Sequence, residues 1–367
     1  MLNHSSDEQI RSILVIRLSS MGDVLLSTPL VRLLRQRFPD ARIDVCVGEE
    51  WSAIYRYNPH CNTVLGYKRS FSRRELQDWK HTIAAALQSS TGSPKYDLIL
   101  DLQRNRRSRQ IWQGLGSTIH RIRKYRLHKL ALVYLKRNLH AQTIHITERY
   151  RNTASHLGLS DDGRGLEMLL GKEVIVAERR EGGIVRIGIA PGAHHATKRW
   201  LPERFAEAAL LLAERLQTHR QSVEIVLLGG RADENICREV ADFLVGKMRY
   251  VLPPDNATLA ETAQLLDSCA VLLCNDTGIM HLAAARGVPL VAVFGSTVTE
   301  LGFAPFRVAH RIVEAQVECR PCTHIGRSAC PKVHFACMRN IEAVKVAEAV
   351  WELLSESSHF ANTSRNR

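Results

Sequence analysis

Short runs of aliphatic and β-branched residues alternate with amphipathic helical patterns along almost the whole chain, and that alternation is the signature of parallel βαβ units. Strands buried on both faces of a parallel sheet read as near-continuous apolar runs rather than as alternating ones. Such runs fall at 13–17 (ILVIR), 42–47 (RIDVCV) and 97–101 (DLILD), then at 185–190 (VRIGIA), 223–228 (VEIVLL), 270–274 (AVLLC) and 289–294 (PLVAVF). Between them, a helix is expected from Asp23 to Arg37, with Leu26, Leu30, Leu33 and Leu34 on one face. Further helices are expected near 202–218, 232–245, 259–267, 277–286 and 340–355.

The second half restarts the plan of the first: a buried strand, a loop with glycine and small polar residues, then a helix. At 367 residues the chain suits two domains of roughly 150 residues each. The charged, glycine-ending stretch AERREGG (177–183) is the natural joint. The expected division is 1–178, 184–345, and a final helix end and tail over 346–367, with the tail from Ser357 onward expected to be disordered. Two Rossmann-like domains facing one another would enclose a cleft, lined by the loops at the carboxyl ends of their strands.

No signal peptide is expected from the polar first dozen residues, and no apolar run approaches the roughly 20 residues that span a bilayer. Nine cysteines without a secretory signal point to reduced thiols and a cytoplasmic location. The net charge of +13 is unevenly placed. Between Leu102 and Thr147 there is no acid, while Arg104, Arg106, Arg107, Arg109, Arg121, Arg123, Lys124, Arg126, Lys129, Lys136 and Arg137 supply most of the excess. Such a block implies an anionic partner: nucleic acid, an acidic membrane surface or an acidic substrate. Nucleic acid is not expected, because only Trp112, Tyr125 and Tyr134 offer aromatic faces and no recognised binding module is present. The stretch 128–140 (HKLALVYLKRNLH) reads either as a membrane-surface helix or as core.

The chemistry-bearing residues sit just past strand ends. Arg17-Leu18-Ser19-Ser20-Met21-Gly22-Asp23 follows the first strand; it is not G-x-G-x-x-G, so a dinucleotide fingerprint is absent. Asp23 near a helix start serves as a cap, or as a base if it faces a cleft. After VRIGIA comes PGAHHATKRW (191–200), where Thr197 and Lys198 stand on a loop suited to a diphosphate; Pro202 opens the next helix. Gly229 and Gly230 precede Asp233 and Glu234, which bind ribose hydroxyls in some sheets of this type and merely favour helix starts in others. Thr258 to Glu261 form a capping box. In NDTGIMH (275–281), Asp276 or Thr277 is expected to cap a helix while the amides of Thr277 and Gly278 point outward toward an anion, with His281 one turn on.

Taken together, SSMGD (19–23), PGAHHATKRW (191–200), GGRADEN (229–235) and NDTGIMHLAAARGVPLVAVFGST (275–297) resemble glycosyltransferase family 9, the bacterial heptosyltransferases of the lipopolysaccharide inner core. The resemblance runs over about residues 12–345. It implies an α/β fold of the GT-B kind and inverting transfer of heptose from ADP-heptose, with no cofactor required, to a lipid A–Kdo type acidic acceptor, together with peripheral contact with the cytoplasmic face of the inner membrane. By motif, Asp23 would be the general base. Ser20, Gly22, Thr197, Lys198, Asp233, Asp276, Thr277, Gly278 and His281 would meet the donor, and Arg17, Arg104, Arg106 and Arg107 the acceptor. A different nucleotide sugar or acceptor on the same fold is the alternative, and a nucleic-acid-binding protein using the basic segment 104–137 is the second. Cys319, Cys322, Cys330 and Cys337, with His324 and His334 among them, have spacing reminiscent of structural zinc. The same stretch resembles segments in the second-heptose branch of the family, where no metal is assumed, and packing thiols or a labile disulfide are the other readings.

Overall fold

The computed structural model describes residues 10–139, 142–171 and 184–356. The joint expected at 177–183 and the tail expected from Ser357 lie outside them. Contacts divide the chain into two compact units, Met1–Lys124 with Ile144–Leu169 and Tyr125–Thr143 with Leu170–Arg367. The basic block is therefore shared between the units, parting after Lys124.

The first unit opens with β1 (Ser12–Ile16), α1 (Met21–Leu25), α2 (Thr28–Arg37), β2 (Arg42–Gly48) and β3 (Thr63–Tyr67). It continues through α3 (Arg73–Thr91), β4 (Tyr96–Asp101), α4 (Arg106–Trp112) and β5 (Gly116–Arg121). The chain then lends α5 (Arg126–Leu130) and a π-helical turn, Ala131–Leu135, to the second unit before returning with α6 (Ile146–Arg151). The sheet order is β3-β2-β1-β4-β5 and every pairing is parallel. Ile16 lies opposite both Cys46 and Asp101, so the loops after β1, β2 and β4 leave from one edge.

One long helix from Asp23 to Arg37 is not what forms. The chain breaks into α1 and α2 at Leu26 and Ser27, because Pro29 in the first turn of α2 has no amide to continue the ladder. The hydroxyls of Ser27 and Thr28 turn back onto the carbonyls of Val24 (2.6 Å) and Leu25 (2.8 Å) across the break.

The second unit carries β6 (Ile184–Ala190), α7 (Pro202–Thr218), β7 (Ser222–Leu227), α8 (Glu234–Leu244) and β8 (Arg249–Val251). Then come α9 (Leu259–Asp267), β9 (Val271–Asn275), α10 (Gly278–Arg286), β10 (Leu290–Phe294), β11 (His310–Glu314), α11 (Ala336–Arg339) and α12 (Ala343–Glu356). Its sheet, β11-β10-β9-β6-β7-β8, is again wholly parallel. Pro202 occupies the first turn of α7, and Thr258 caps α9 in a reciprocal box with Glu261. Trp200 and Phe205 pack edge to face, 4.9 Å apart, at the centre of the core. The final helix, α12, packs on α7 and adds Val346, Val350 and Leu354 to that core. Among the described residues no helix is long and apolar enough to cross a membrane.

The first unit also buries an arginine. The Arg32 side chain, 1% exposed, points from α2 to Asp162 (2.6 Å), Glu167 (2.6 Å) and the carbonyl of Gly165 (3.1 Å). Asn58 donates to the other oxygen of Glu167, whose amide donates to Thr28. This network fastens the segment after α6 to the helix that follows the first strand. The hydrogen bond from Arg32, opposed by partial burial, holds the Asp162 carboxyl down at about 2. Arg32→Ala strands two carboxylates and should cost ~3–5 kcal/mol in urea unfolding. A depressed carboxylate stabilises above its unfolded pKa and loses that contribution as pH falls through its folded one. The stability gap between the wild type and Asp162→Asn should thus be full above pH 3.8 and close toward pH about 2; a gap indifferent to pH would contradict the pairing.

Candidate active site

In the first unit the polar residues gather where β1 ends. Ser20 is the N-cap of α1, and its amide and hydroxyl both donate to Asp23 Oδ2, at 3.1 and 3.2 Å. Asp23 therefore does act locally as the third residue of a capping box. Its other oxygen has a second set of partners. Arg17 Nη2 lies 2.6 Å from Asp23 Oδ1, and the Tyr150 hydroxyl, arriving from α6, donates to the same atom at 3.3 Å. Arg17 also donates to Leu102 O (2.7 Å) and lies over the Tyr150 ring, 5.6 Å from its centre.

Burial works against the charge of Arg17, but the fields of Asp23 and then Tyr150 outweigh it and raise its pKa. Burial, helped by Asp23 and opposed by Arg17, pushes the Tyr150 phenol well above its ordinary value, so Tyr150 stays a donor. Arg17 Nε, buried, has no hydrogen-bond partner among the described residues. Nothing in the sequence ITERYR around Tyr150 flags it, since its role comes from a contact 127 residues away.

The loop after β4 lies beside this cluster: Gln103 Oε1 accepts from the amides of Leu18 and Ser19. Asp101, fully buried, organises that loop by accepting from the amides of Gln103 and Arg104, and from Ser108, Trp112 and Arg121. The Arg104 guanidinium turns back to Ile122 O (2.9 Å), whereas Arg106 and Arg107 stand exposed in the first turn of α4. Of the four cations expected to meet an acceptor, only Arg17 is in contact with Asp23.

In the second unit the residues quoted from separate motifs meet at the ends of β6, β7, β9 and β10. Lys198 Nζ lies 2.6 Å from Asp276 Oδ2, which also accepts from Thr297 at 2.6 Å. The buried Thr197 hydroxyl is engaged by Ser296 (3.0 Å) and by the Arg327 amide (2.8 Å). Asn275, fully buried, is the clasp between two loops: its oxygen accepts from the Trp200 amide (3.0 Å) and its nitrogen donates to Pro191 O (2.8 Å). Asp233 accepts from the Gly230 amide at 3.2 Å and presses on the strand ends. A Cβ at Gly192 would stand 2.1 Å from Asp233 Oδ1, so any side chain there would force Asp233 to move. Burial raises the pKa of Asp233.

The expectation that Asp276 or Thr277 caps α10 is not met. Asp276 is turned to Lys198 and Thr297, and Thr277, the N-cap residue, makes no side-chain cap bond. Its buried hydroxyl has no partner among the described residues, and Gly278 begins the helix beside it. His281 lies one turn further in and is buried. The amino terminus of α10 is thus left with backbone donors and an orphan hydroxyl, an arrangement that suits an anion.

Sequence reasoning assigned no role to Ser296, Thr297, Asn275 or Arg320, although the first three lie within a quoted motif. The first two could have been found as small polar residues just past a buried apolar strand. Arg320 ties Gly295 O, Thr297 O, Ala315 O and Glu314 together from the cysteine-containing loop, which also meets Thr197 through Arg327. Cys319, Cys322 and Cys330 of that loop and Cys337 of α11 are free thiols, with Cys319 Sγ 3.9 Å from His334 Nε2. Among the described residues no group of three or more His, Cys, Asp or Glu could hold a metal ion, so the zinc-like spacing is not matched by ligand geometry. Burial pushes the Cys337 thiol up to about 11 and raises that of Cys322, as expected of packing thiols. Cutting the clasp tests the assembly: Asn275→Ala leaves a buried amide and a buried carbonyl unpaired and should cost ~2–5 kcal/mol in thermal or urea unfolding, while a loss near zero would mean that the two loops hold without it.

Comparison with known proteins bears on the family and the fold. The chain is 25% identical over 348 residues to lipooligosaccharide heptosyltransferase 2 of Campylobacter jejuni, covering 92% of this chain and 96% of that protein. Its fold is that of a family 9 glycosyltransferase from Veillonella parvula, with a TM-score of 0.71 at 22% identity over 95% and 98% of the two chains. The structure of E. coli ADP-heptose lps heptosyltransferase II aligns with a TM-score of 0.67 at 21% identity, covering 94% of this chain and 98% of that one. Residues 84–332 match the sequence pattern of glycosyltransferase family 9 (heptosyltransferase). The chain, with its two parallel α/β units of the GT-B type, belongs to glycosyltransferase family 9 and is a transferase enzyme.

Proposed function

We propose that this protein transfers heptose from ADP-heptose, with inversion, onto the acidic Kdo- or heptose-bearing inner core of a lipid-linked lipopolysaccharide acceptor. The observation that carries the donor half is the orphan Thr277 hydroxyl at an uncapped helix start, in the same unit as Lys198 and Thr197 and joined to them through Asp276 and Ser296. A diphosphate would take the α10 amides and the Thr277 hydroxyl, and Lys198 would exchange Asp276 for a phosphate oxygen. Asp233, at the ends of β6 and β7, is suited to a ribose hydroxyl.

In the first unit Asp23 takes the proton of the attacking acceptor hydroxyl. The acceptor oxygen bonds to the anomeric carbon, the bond from that carbon to the diphosphate breaks, and ADP leaves carrying the charge that Lys198 and the α10 amides receive. Arg17 is both counter-ion to Asp23 and, through its unpartnered Nε, a contact for an acceptor carboxylate or phosphate. Tyr150 orients the same carboxylate oxygen. Ser20 and Gly22, the donor candidates of the first unit, form the turn that carries Asp23, and Arg104, Arg106 and Arg107 extend the positive field toward the acceptor.

Asp23→Ala should keep donor affinity, measured by calorimetry with ADP-heptose, and lose transfer by ~10²–10⁴-fold. Unchanged turnover would remove Asp23 from the reaction. Incubation with ADP-heptose or other nucleotide sugars, and with acceptors bearing zero, one or two heptoses, followed by mass spectrometry, identifies donor and acceptor together. Turnover only with a different nucleotide sugar would overturn the donor assignment.

A further inference from the structure

The loop after β4 holds a side chain with one end fixed and the other unused. Gln103 stands two residues past the end of β4, and its backbone amide donates to the buried Asp101 at 3.1 Å. Its side-chain oxygen, Oε1, accepts from the amides of Leu18 (3.1 Å) and Ser19 (3.3 Å), the two residues that lead from β1 toward α1. A carboxamide oxygen has two lone pairs, and both are taken. Turning the amide over would set its NH2 group against two N–H donors, so these backbone groups dictate its orientation. Nε2 is therefore turned away from the two amides, and neither of its hydrogens is bonded among the described residues.

This half-buried side chain lies beside the residues that hold Asp23. Arg17 spans the two loops: Nη1 donates to the carbonyl of Leu102, the neighbour of Gln103 in the chain, at 2.7 Å, while Nη2 lies 2.6 Å from Asp23 Oδ1. Ser19, held by Gln103, precedes Ser20, whose amide and hydroxyl donate to Asp23 Oδ2. The polar balance at this edge favours donors. Arg17 has a buried Nε without a partner among the described residues, Gln103 offers two N–H groups, and Arg106 and Arg107 stand exposed at the start of α4. The acids of the adjoining loop after β2, Glu49 and Glu50, face Lys68 (3.4 Å) and Arg69 (3.5 Å). Unused donors in excess of acceptors suit an anionic oxygen of an incoming molecule.

We infer, resting on the heptosyltransferase reading above, that Gln103 is a specificity-determining residue whose Nε2 donates to an anionic oxygen of the acceptor while its Oε1 keeps the turn that carries Asp23 in place. Two duties on one carboxamide make glutamine the residue suited to this position. A glutamate would accept from the same two amides, but it would have no N–H to offer and would repel an acidic acceptor.

The test titrates the full chain calorimetrically, without donor, with a Kdo-bearing acceptor fragment that is either free of phosphate or phosphorylated. Gln103→Glu keeps an oxygen for Leu18 and Ser19, so it should melt and bind ADP-heptose as the wild type does, and it should bind the acceptor fragment ~tenfold or more weakly. A loss already present with the phosphate-free fragment assigns a carboxylate as the group that is read, and a loss confined to the phosphorylated one assigns a phosphate. In turnover the change should fall on the acceptor KM rather than on kcat. Gln103→Met removes both duties and should lower kcat as well, because the turn under Asp23 is no longer held. A Gln103→Glu variant that binds both fragments as tightly as the wild type, or that weakens donor and acceptor alike, overturns the inference and leaves Gln103 a brace of the turn. A wild type that transfers another sugar and not heptose overturns the donor assignment alone, since acceptor binding by Gln103→Glu is read with no donor present.

Discussion

Parallel pairing is the constraint from which the rest follows. Because all strands of a sheet run the same way, their carboxyl ends come to one edge, and the loops leaving that edge bring polar residues from distant parts of the chain together without disturbing the core. In the second unit this brings Lys198, Asp233, Asp276 and Thr297 from four strand ends into one neighbourhood. In the first it brings Arg17, Asp23 and Gln103 together. The side chains that secure these loops, the buried Asn275 and Asp101 and the half-buried Arg320, are spent largely on backbone groups, so the loops owe their shape to polar contacts as much as to apolar packing.

The interior of each sheet was legible in the residues. All seven apolar runs read as strands are strands, within a residue or two at either end, because strands covered on both faces must be apolar throughout. The four strands not read, β3, β5, β8 and β11, are the outer strands of the two sheets. An outer strand is covered less completely and needs no continuous apolar run; GSTIHR and HRIVE carry polar and charged residues that hide the pattern. The helix break at Leu26 and Ser27 was written in Pro29, but the leucine periodicity spoke louder.

The site was legible as motifs and not as contacts. Short glycine-containing segments past strand ends singled out Asp23, Lys198, Asp276 and Thr277 as candidates, since the requirement for a polar turn at that place is local. Tyr150 and Asn275 act through partners 127 and 75 residues away, and spacing along a chain carries no information about such pairs. Asp23 shows how both kinds of reading hold at once: one oxygen closes the box with Ser20 that local rules foresee, and the other meets Arg17 and Tyr150.

The pairing of Lys198 with Asp276 has a consequence for how this protein comes to exist before it meets any substrate. A lysine set into a largely enclosed loop cluster with no counter-ion would oppose folding until an anion arrived. With a carboxylate 2.6 Å away, itself steadied by Thr297, the positive charge is balanced from within the unit. The charge of Lys198 is therefore balanced as the second unit assembles, and its fold does not wait on an anion from outside.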